Sequence, residues 1–126
     1  MKSRERAIGP RLRVFLEPDF ALGPGKAEIL EGIKETGSIA AAGRRMGMSY
    51  KRAWNLVDAM NKHFRAPVVD AAKGGRAGGG AVLTEFGEEV LTRYRRMMKL
   101  AQKAIEPDLK KLMKELSGAD AGKSTR

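Results

Sequence analysis

The 126-residue chain contains no cysteine, which excludes disulfide bonds and thiolate metal sites. It also lacks any apolar run near the roughly 18 residues of a membrane-spanning helix. Its positively charged start is not followed by the uninterrupted apolar segment of a secretory signal. From these absences we expect a cytoplasmic protein with no membrane partner. One domain is the natural count, since domains typically run to roughly 100–150 residues.

Groups that carry catalysis are scarce as well. His63 is the only histidine, and the sequence offers it no evident partner for a catalytic triad or a metal site. A lone histidine at a helix end is more often a surface or capping residue. We therefore expect no catalytic residue, no metal ion and no cofactor, and we do not expect an enzyme.

Acidic residues are outnumbered by basic ones. The chain has 25 Lys and Arg against 15 Asp and Glu, a formal charge of +10. Much of this excess lies in residues 37–80, with eight basic and two acidic residues. A domain this basic favours nucleic acid or an anionic membrane surface as its partner. A membrane-surface helix would need a broad face of Trp, Phe and Leu, and with one Trp in the chain we favour double-stranded DNA.

Residues 37–61 predict two short helices joined by a tight turn. Ser38 and Ser49 can each cap a helix start, and Gly47 stands where a helix end favours a left-handed residue. Alanines at 40–42 and Gly43 allow the helices to cross closely. A helix-turn-helix of this kind places the N-terminal end of its second helix in a DNA major groove. An ordinary αα-hairpin with a solvated basic face remains the alternative.

The second of these helices has a core side and a polar side. Ala53, Val57, Met60 and Phe64 recur at helical spacing and should face the core. Trp54 is one position past Ala53, and we expect it to pack beside a helix or beside the β wing that follows in the sequence. Lys51, Arg52, Asn55 and Asp58 fall largely on the other side.

A wing follows the helix-turn-helix. Residues 67–72 and 81–84 predict two strands around a loop of five glycines and two cations, in which backbone N–H groups can bind phosphates. The loop lacks the Gly-Lys-Ser/Thr of a nucleotide-binding P-loop, and a flexible hairpin tip is the alternative. The candidate DNA contacts are Ser38, Arg44, Arg45, Ser49, Tyr50, Lys51, Arg52, Asn55, Lys73, Gly75 and Arg76.

The segments on either side complete a domain at 11–84, after a flexible N-terminus at 1–10. Residues 11–17 predict a strand with Leu12, Val14 and Leu16 on one side. Residues 26–36 predict a helix that ends at Gly37, and Gly32 within it suggests a close neighbour.

A long helical segment at 85–116 begins at the capping residue Thr84. Its apolar stripe is too long for one small domain to cover, so we expect dimerisation, with a helix folded back on its own domain as the alternative. Pro107 should kink the helix or restart it near Glu106. Residues 117–126 are expected to be disordered. The predicted dimer seam is Phe86, Val90, Tyr94, Met97, Ala101, Ile105, Leu109 and Leu112.

Several stretches together carry a family likeness: GSI at 37–39, MSYKRAW at 48–54, MN at 60–61, and GGGAVLT at 78–84 with Gly87. They resemble the N-terminal DNA-binding domain of molybdate-responsive ModE-type regulators and, more distantly, that of LysR-type regulators. The likeness covers about residues 12–105. It implies a mainly α fold with a small β wing, a dimeric winged helix-turn-helix transcriptional regulator. It also implies that the major groove receives Ser49, Tyr50, Lys51, Arg52 and Asn55.

The sequence departs from this family in length. Full regulators of this type carry oxyanion-binding domains after the long helix, whereas this sequence stops there, so molybdate sensing is not carried over and no small-molecule effector is evident. We expect either that the protein has no such effector or that another chain or a further site supplies the sensing. The hypothesis we favour is a homodimer that binds a palindromic operator with sequence specificity. The alternatives are a sequence-tolerant architectural DNA-binding protein and a basic protein-interaction module.

Overall fold

The computed structural model describes residues 8–72 and 80–118. It has the predicted class, a mainly α winged helix-turn-helix with two small antiparallel sheets and a long C-terminal helix. The predictions for residues 1–7, 73–79 and 119–126 lie outside the described residues. The elements are β1 (Val14–Glu17), β2 (Phe20–Leu22), α1 (Pro24–Thr36), α2 (Ile39–Arg45), α3 (Tyr50–His63), β3 (Val69–Ala72), β4 (Gly80–Leu83) and α4 (Glu85–Met113).

The first strand pairs with a strand that the sequence did not reveal. β1 and β2 form an antiparallel hairpin in which Val14 faces Leu22, with an irregularity in register between Phe15 and Glu17. β2 is buried throughout, whereas Leu16 is exposed. The irregularity breaks the simple alternation that placed Leu16 on the same side as Leu12 and Val14, so that part of the prediction is wrong.

Small residues bring α1, α2 and α3 into close contact. A Cβ built on Gly32 would lie 2.7 Å from the Cβ of Ala42, and one on Gly43 would lie 2.9 Å from the Cβ of Ala53. Real Cβ atoms do not approach this closely, so a larger side chain at either glycine would push the helices apart. The close neighbour predicted at Gly32 is confirmed.

The predicted helix ends are also confirmed. The Ser38 hydroxyl accepts a hydrogen bond from Ala41 N at 3.0 Å, and the Ser49 hydroxyl accepts one from Arg52 N at 3.1 Å. Gly37 and Gly47 both have positive φ, at 74° and 72°, the region that glycine enters without strain. Thr84 caps α4 by accepting from Gly87 N at 2.9 Å.

Helix α4 is continuous and has two unlike halves. It runs through Pro107, so the helix does not restart near Glu106, while the kink that was the other expected effect of Pro107 stays a prediction. The first half packs in the core of its own chain, where Val90 and Tyr94 are buried and Phe86 and Met97 are partly buried. These four residues were predicted to meet a second copy, and the structure instead covers them with α1, β4 and the N-terminal segment.

The second half of α4 leaves apolar side chains exposed. Ile105 is 39% exposed and Leu112 is 68% exposed, while Ala101 and Leu109 are half-buried. The predicted seam therefore divides between a part that stabilises the domain and a part that remains accessible.

Candidate nucleic-acid interface

The reading end of the candidate interface is the N-terminus of α3. Ser49 holds the first turn in shape through its cap bond to Arg52 N, and the first turn contains no acidic residue. A helix N-terminus carries partial positive charge and free N–H groups, both of which attract phosphate. The sequence of this end therefore matches the chemistry of an anionic partner.

The polar side of α3 is presented to solvent as predicted. Ala53, Val57 and Met60 are buried, which fixes the rotation of the helix, and Lys51, Arg52 and Asn55 are exposed in consequence. The alternation follows from the 3.6-residue period of the helix. Tyr50 is also exposed, at 57%, so all four α3 candidates are accessible to solvent.

Three basic side chains of this surface form no ion pair in the described residues. Lys51, Arg52 and Arg44 have no carboxylate partner within residues 8–72 and 80–118. Arg45, by contrast, bonds Glu35 at 2.6 Å. Since an exposed ion pair typically contributes less than about 1 kcal/mol, this bond does not prevent Arg45 from turning to a phosphate.

Asn61 of α3 bonds the start of the wing. Asn61 Oδ1 accepts from Val68 N at 2.7 Å and Val69 N at 3.4 Å, and Asn61 Nδ2 donates to Val69 O at 3.1 Å. β3 then pairs with β4, from Val69 opposite Leu83 to Ala72 opposite Gly80. Asn61 thus sets where the wing leaves the helix. Lys73, Gly75 and Arg76 of the loop lie outside the described residues.

Trp54 differs from its expected place. It leaves 44% of its surface exposed, and the described part of the chain shows no ring contact or hydrogen bond to its indole. The prediction that it packs beside the wing or a helix is therefore only partly met, since nearly half of the residue's surface is exposed. The sequence did not indicate this exposure, because the position next to Ala53 lies at the border between the core side and the polar side of α3.

His63 has partners that sequence reasoning missed. Its Nδ1 lies 2.7 Å from Glu17 Oε1, and its ring stacks on Phe20 with centroids 4.4 Å apart. Glu17, Asp19 and His63 place possible metal-ligating atoms within 4.8 Å of one another, all on exposed residues. The separation of 46 residues between His63 and Glu17 hid this arrangement from the sequence. The hydrogen bond between His63 and Glu17 and the ring stack on Phe20 suffice to explain why the residues converge.

No helix in the described ranges has the length and apolar character needed to cross a membrane.

Comparisons with known proteins place these features in context. A family model described as bacterial regulatory helix-turn-helix protein, LysR family, matches residues 25–88. The molybdenum-pterin-binding protein MopB of Rhodobacter capsulatus is 53% identical over 73 residues, which are 58% of this chain and 27% of MopB. The molybdenum transport protein ModE of Azotobacter vinelandii is 36% identical over 110 residues, 86% of this chain and 40% of ModE. The resemblance to ModE-type regulators is thereby confirmed.

A solved structure shares the fold. The CbnR DBD–DNA complex superimposes with a TM-score of 0.53 over 67% of this chain and 91% of that one, at 21% identity. Identity at this level shows a common fold alone. The chain spans only part of the length of these relatives, 27% of MopB and 40% of the Azotobacter ModE.

Proposed function

The chain belongs to the LysR family of bacterial regulatory helix-turn-helix proteins, and we propose that it is a sequence-specific transcriptional regulator that binds DNA as a homodimer. The observation that carries the proposal is the N-terminus of α3, where Lys51 and Arg52 stand exposed and without a carboxylate partner in the described residues. Relatives named as transcriptional regulators share this region, and the shared fold was solved in a complex with DNA.

Binding begins with charge in this proposal. Lys and Arg at the helix-turn-helix neutralise phosphates and release counterions, so the logarithm of affinity falls with the logarithm of salt by roughly 0.9 per phosphate neutralised. The capped N-termini of α2 and α3 add N–H groups near Ser38 and Ser49. Lys73, Gly75 and Arg76 of the wing would contact the backbone beside the groove.

Sequence is read by a few side chains. Arg52 suits the O6 and N7 acceptors of guanine, and Asn55 suits the N6 and N7 pattern of adenine. Each such pair is worth about 1–3 kcal/mol of discrimination against a wrong base. These side chains can meet the base edges only if α3 keeps one orientation on its domain. The buried Ala53, Val57 and Met60 fix that orientation.

The accessible half of α4 would provide the dimer. Ile105, Leu109 and Leu112 step by four and three residues, the spacing of a two-helix seam, and Leu116 follows just beyond the end of the helix. Pairing these residues with a second copy would cover apolar surface that one chain leaves exposed. A two-fold dimer would present two α3 helices to half-sites about 34 Å apart on a palindromic operator.

The DNA-reading surface is tested by the double change Lys51→Ala and Arg52→Ala. The matched control is Lys103→Ala with Lys110→Ala, which removes the same charge from α4. Footprinting and titration on duplex selected from a random library should show loss of specific binding for the first pair and nearly unchanged binding for the second. Equal affinity for selected and random duplex in the unaltered protein would instead favour a sequence-tolerant architectural role. No salt-dependent duplex binding at all would favour a protein-interaction module.

The dimer is tested by Ile105→Gln with Leu112→Gln, using Lys103→Gln with Lys110→Gln on the opposite side of α4 as control. Glutamine keeps helix propensity close to that of the original residues. Sedimentation equilibrium should show a dimer for the unaltered protein and the control, and a monomer for the first variant. If the unaltered protein sediments as a monomer at micromolar concentration, this result contradicts the proposed dimer.

A further inference from the structure

We propose that Trp54 is a base-reading residue of α3 and contacts the 5-methyl group of a thymine in the major groove. The inference rests on the proposed function, to which it adds a contact that the side-chain pattern of Lys51, Arg52 and Asn55 does not include. Its starting point is a large aromatic side chain that is 44% exposed on a helix with a well-filled core side.

The position of Trp54 on α3 follows from the helix period. At roughly 100° per residue, Trp54 lies about 40° from Tyr50 and about 60° from Lys51, both of which are exposed. Asn61 lies about 20° from Trp54, two turns further along, and bonds the start of β3. Trp54 therefore stands on the flank of the reading surface that faces the wing.

The indole is not held by its own chain in the way of a structural tryptophan. When a tryptophan is buried, its N–H usually finds a hydrogen-bond partner. Within residues 8–72 and 80–118, Trp54 Nε1 has none, and no aromatic ring stacks on it. The ring thus offers an apolar face and one free donor to whatever occupies the surface of α3.

The chemical groups in the major groove indicate which base the apolar face of the Trp54 ring would contact. The edges of bases in the major groove are donors and acceptors except for the C5-methyl group of thymine, which is the apolar feature there. An indole carries no acceptor, so it cannot replace Asn or Gln in reading adenine. Contact of the ring with a thymine methyl covers apolar surface on both sides and gives a preference for A·T over G·C at that position.

The test uses the duplex obtained by selection and replaces each thymine in turn by deoxyuridine, which removes the methyl group alone. For the unaltered protein we expect one thymine in each half-site at which affinity falls about fourfold, the effect of one apolar carbon. Trp54→Ala should bind more weakly than the unaltered protein and be indifferent to deoxyuridine at that thymine. Lys62→Ala, a control that removes an exposed cation from the same helix outside the candidate contacts, should keep the full effect.

A second measurement needs no substitution. Trp54 is the only tryptophan, so quenching of its emission by acrylamide reports its accessibility, and adding selected duplex should lower the quenching constant at least twofold. Affinity that is unaffected by every deoxyuridine, or a quenching constant that duplex leaves unchanged, overturns the inference. Either result in a protein that still binds selected duplex leaves the proposed function standing, whereas absence of duplex binding removes both.

Discussion

Replacement of Asn61 by alanine tests how the wing is attached to the reading helix. The side chain makes bonds of 2.7 Å with Val68 N and 3.1 Å with Val69 O, and Val68 is fully buried. Alanine would leave the Val68 N–H without an acceptor, a loss of about 1–3 kcal/mol for a buried donor. The lost amide bond to Val69 O adds about 0.5–1.5 kcal/mol, so the free energy of unfolding should fall by about 2–4 kcal/mol.

Asn55→Ala is the matched control for this change. Asn55 is on the same helix and exposed, so it gains the same helix propensity of alanine, up to about 0.7 kcal/mol, without losing a buried bond. Urea unfolding followed by far-ultraviolet circular dichroism measures both variants. With an m-value of roughly 1–3 kcal/mol/M, Asn61→Ala should unfold at a midpoint lower by about 1–2 M. Midpoints that agree for the two variants would refute the claim that Asn61 carries the attachment.

Two further substitutions test the packing of α4. A Cβ on Gly87 would lie 2.0 Å from Val68 O, so Gly87→Ala should lower the free energy of unfolding by about 3 kcal/mol or more, whereas Gly25→Ala meets nothing within 4 Å and should not destabilise; equal urea midpoints would contradict this. Tyr94→Phe removes the bond of 2.6 Å that Tyr94 donates to Leu12 O, with an expected loss of about 1 kcal/mol. Burial raises the pKa of Tyr94 above its usual 10.0, so the unfolded chain loses this proton first and stability should decline as pH rises past about 10. Unfolding titrations from pH 8 to 11.5 should show a smaller decline in Tyr94→Phe, and an identical decline would contradict the assignment.

What the sequence predicted well depends on neighbours along the chain. Ser38, Ser49 and Thr84 cap helices through bonds to residues three positions away. The helix-turn-helix and the strands of the wing likewise follow from local spacing, since period and capping both act within a few residues. The placement of Gly32 against Ala42 could also be anticipated, because a glycine inside a helix has a cost that a close contact explains.

The misses involve contacts between distant residues. β2 is only three residues long, too short for alternation to reveal it, and it forms because it pairs with β1. His63 meets Glu17 through that same hairpin. The direct DNA contacts, including Arg52 and Asn55, remain predictions.

The apolar stripe of α4 shows why the sequence alone could not predict which surface covers it. A four- and three-residue spacing is the same whether the domain's core or a second copy covers it. The size of the core decides, and here it reaches as far as Tyr94 and Met97. Beyond that point the stripe continues, but the described part of the chain does not cover it, as the exposure of Ile105 and Leu112 shows.

In the proposed dimer, the two halves of α4 have different roles: the first half packs on the domain, and the second half contacts the other copy. Its first half is fixed to the domain by the buried Leu91 and by ion pairs from α1, in which Lys34 bonds Glu88 at 3.1 Å and Glu31 bonds Arg95. Because the helix continues through Pro107, its second half extends directly from the part that packs on the domain. A second copy docked on that half would therefore fix the separation of the two reading helices. The spacing of half-sites would then follow from α4 rather than from the helix-turn-helix itself.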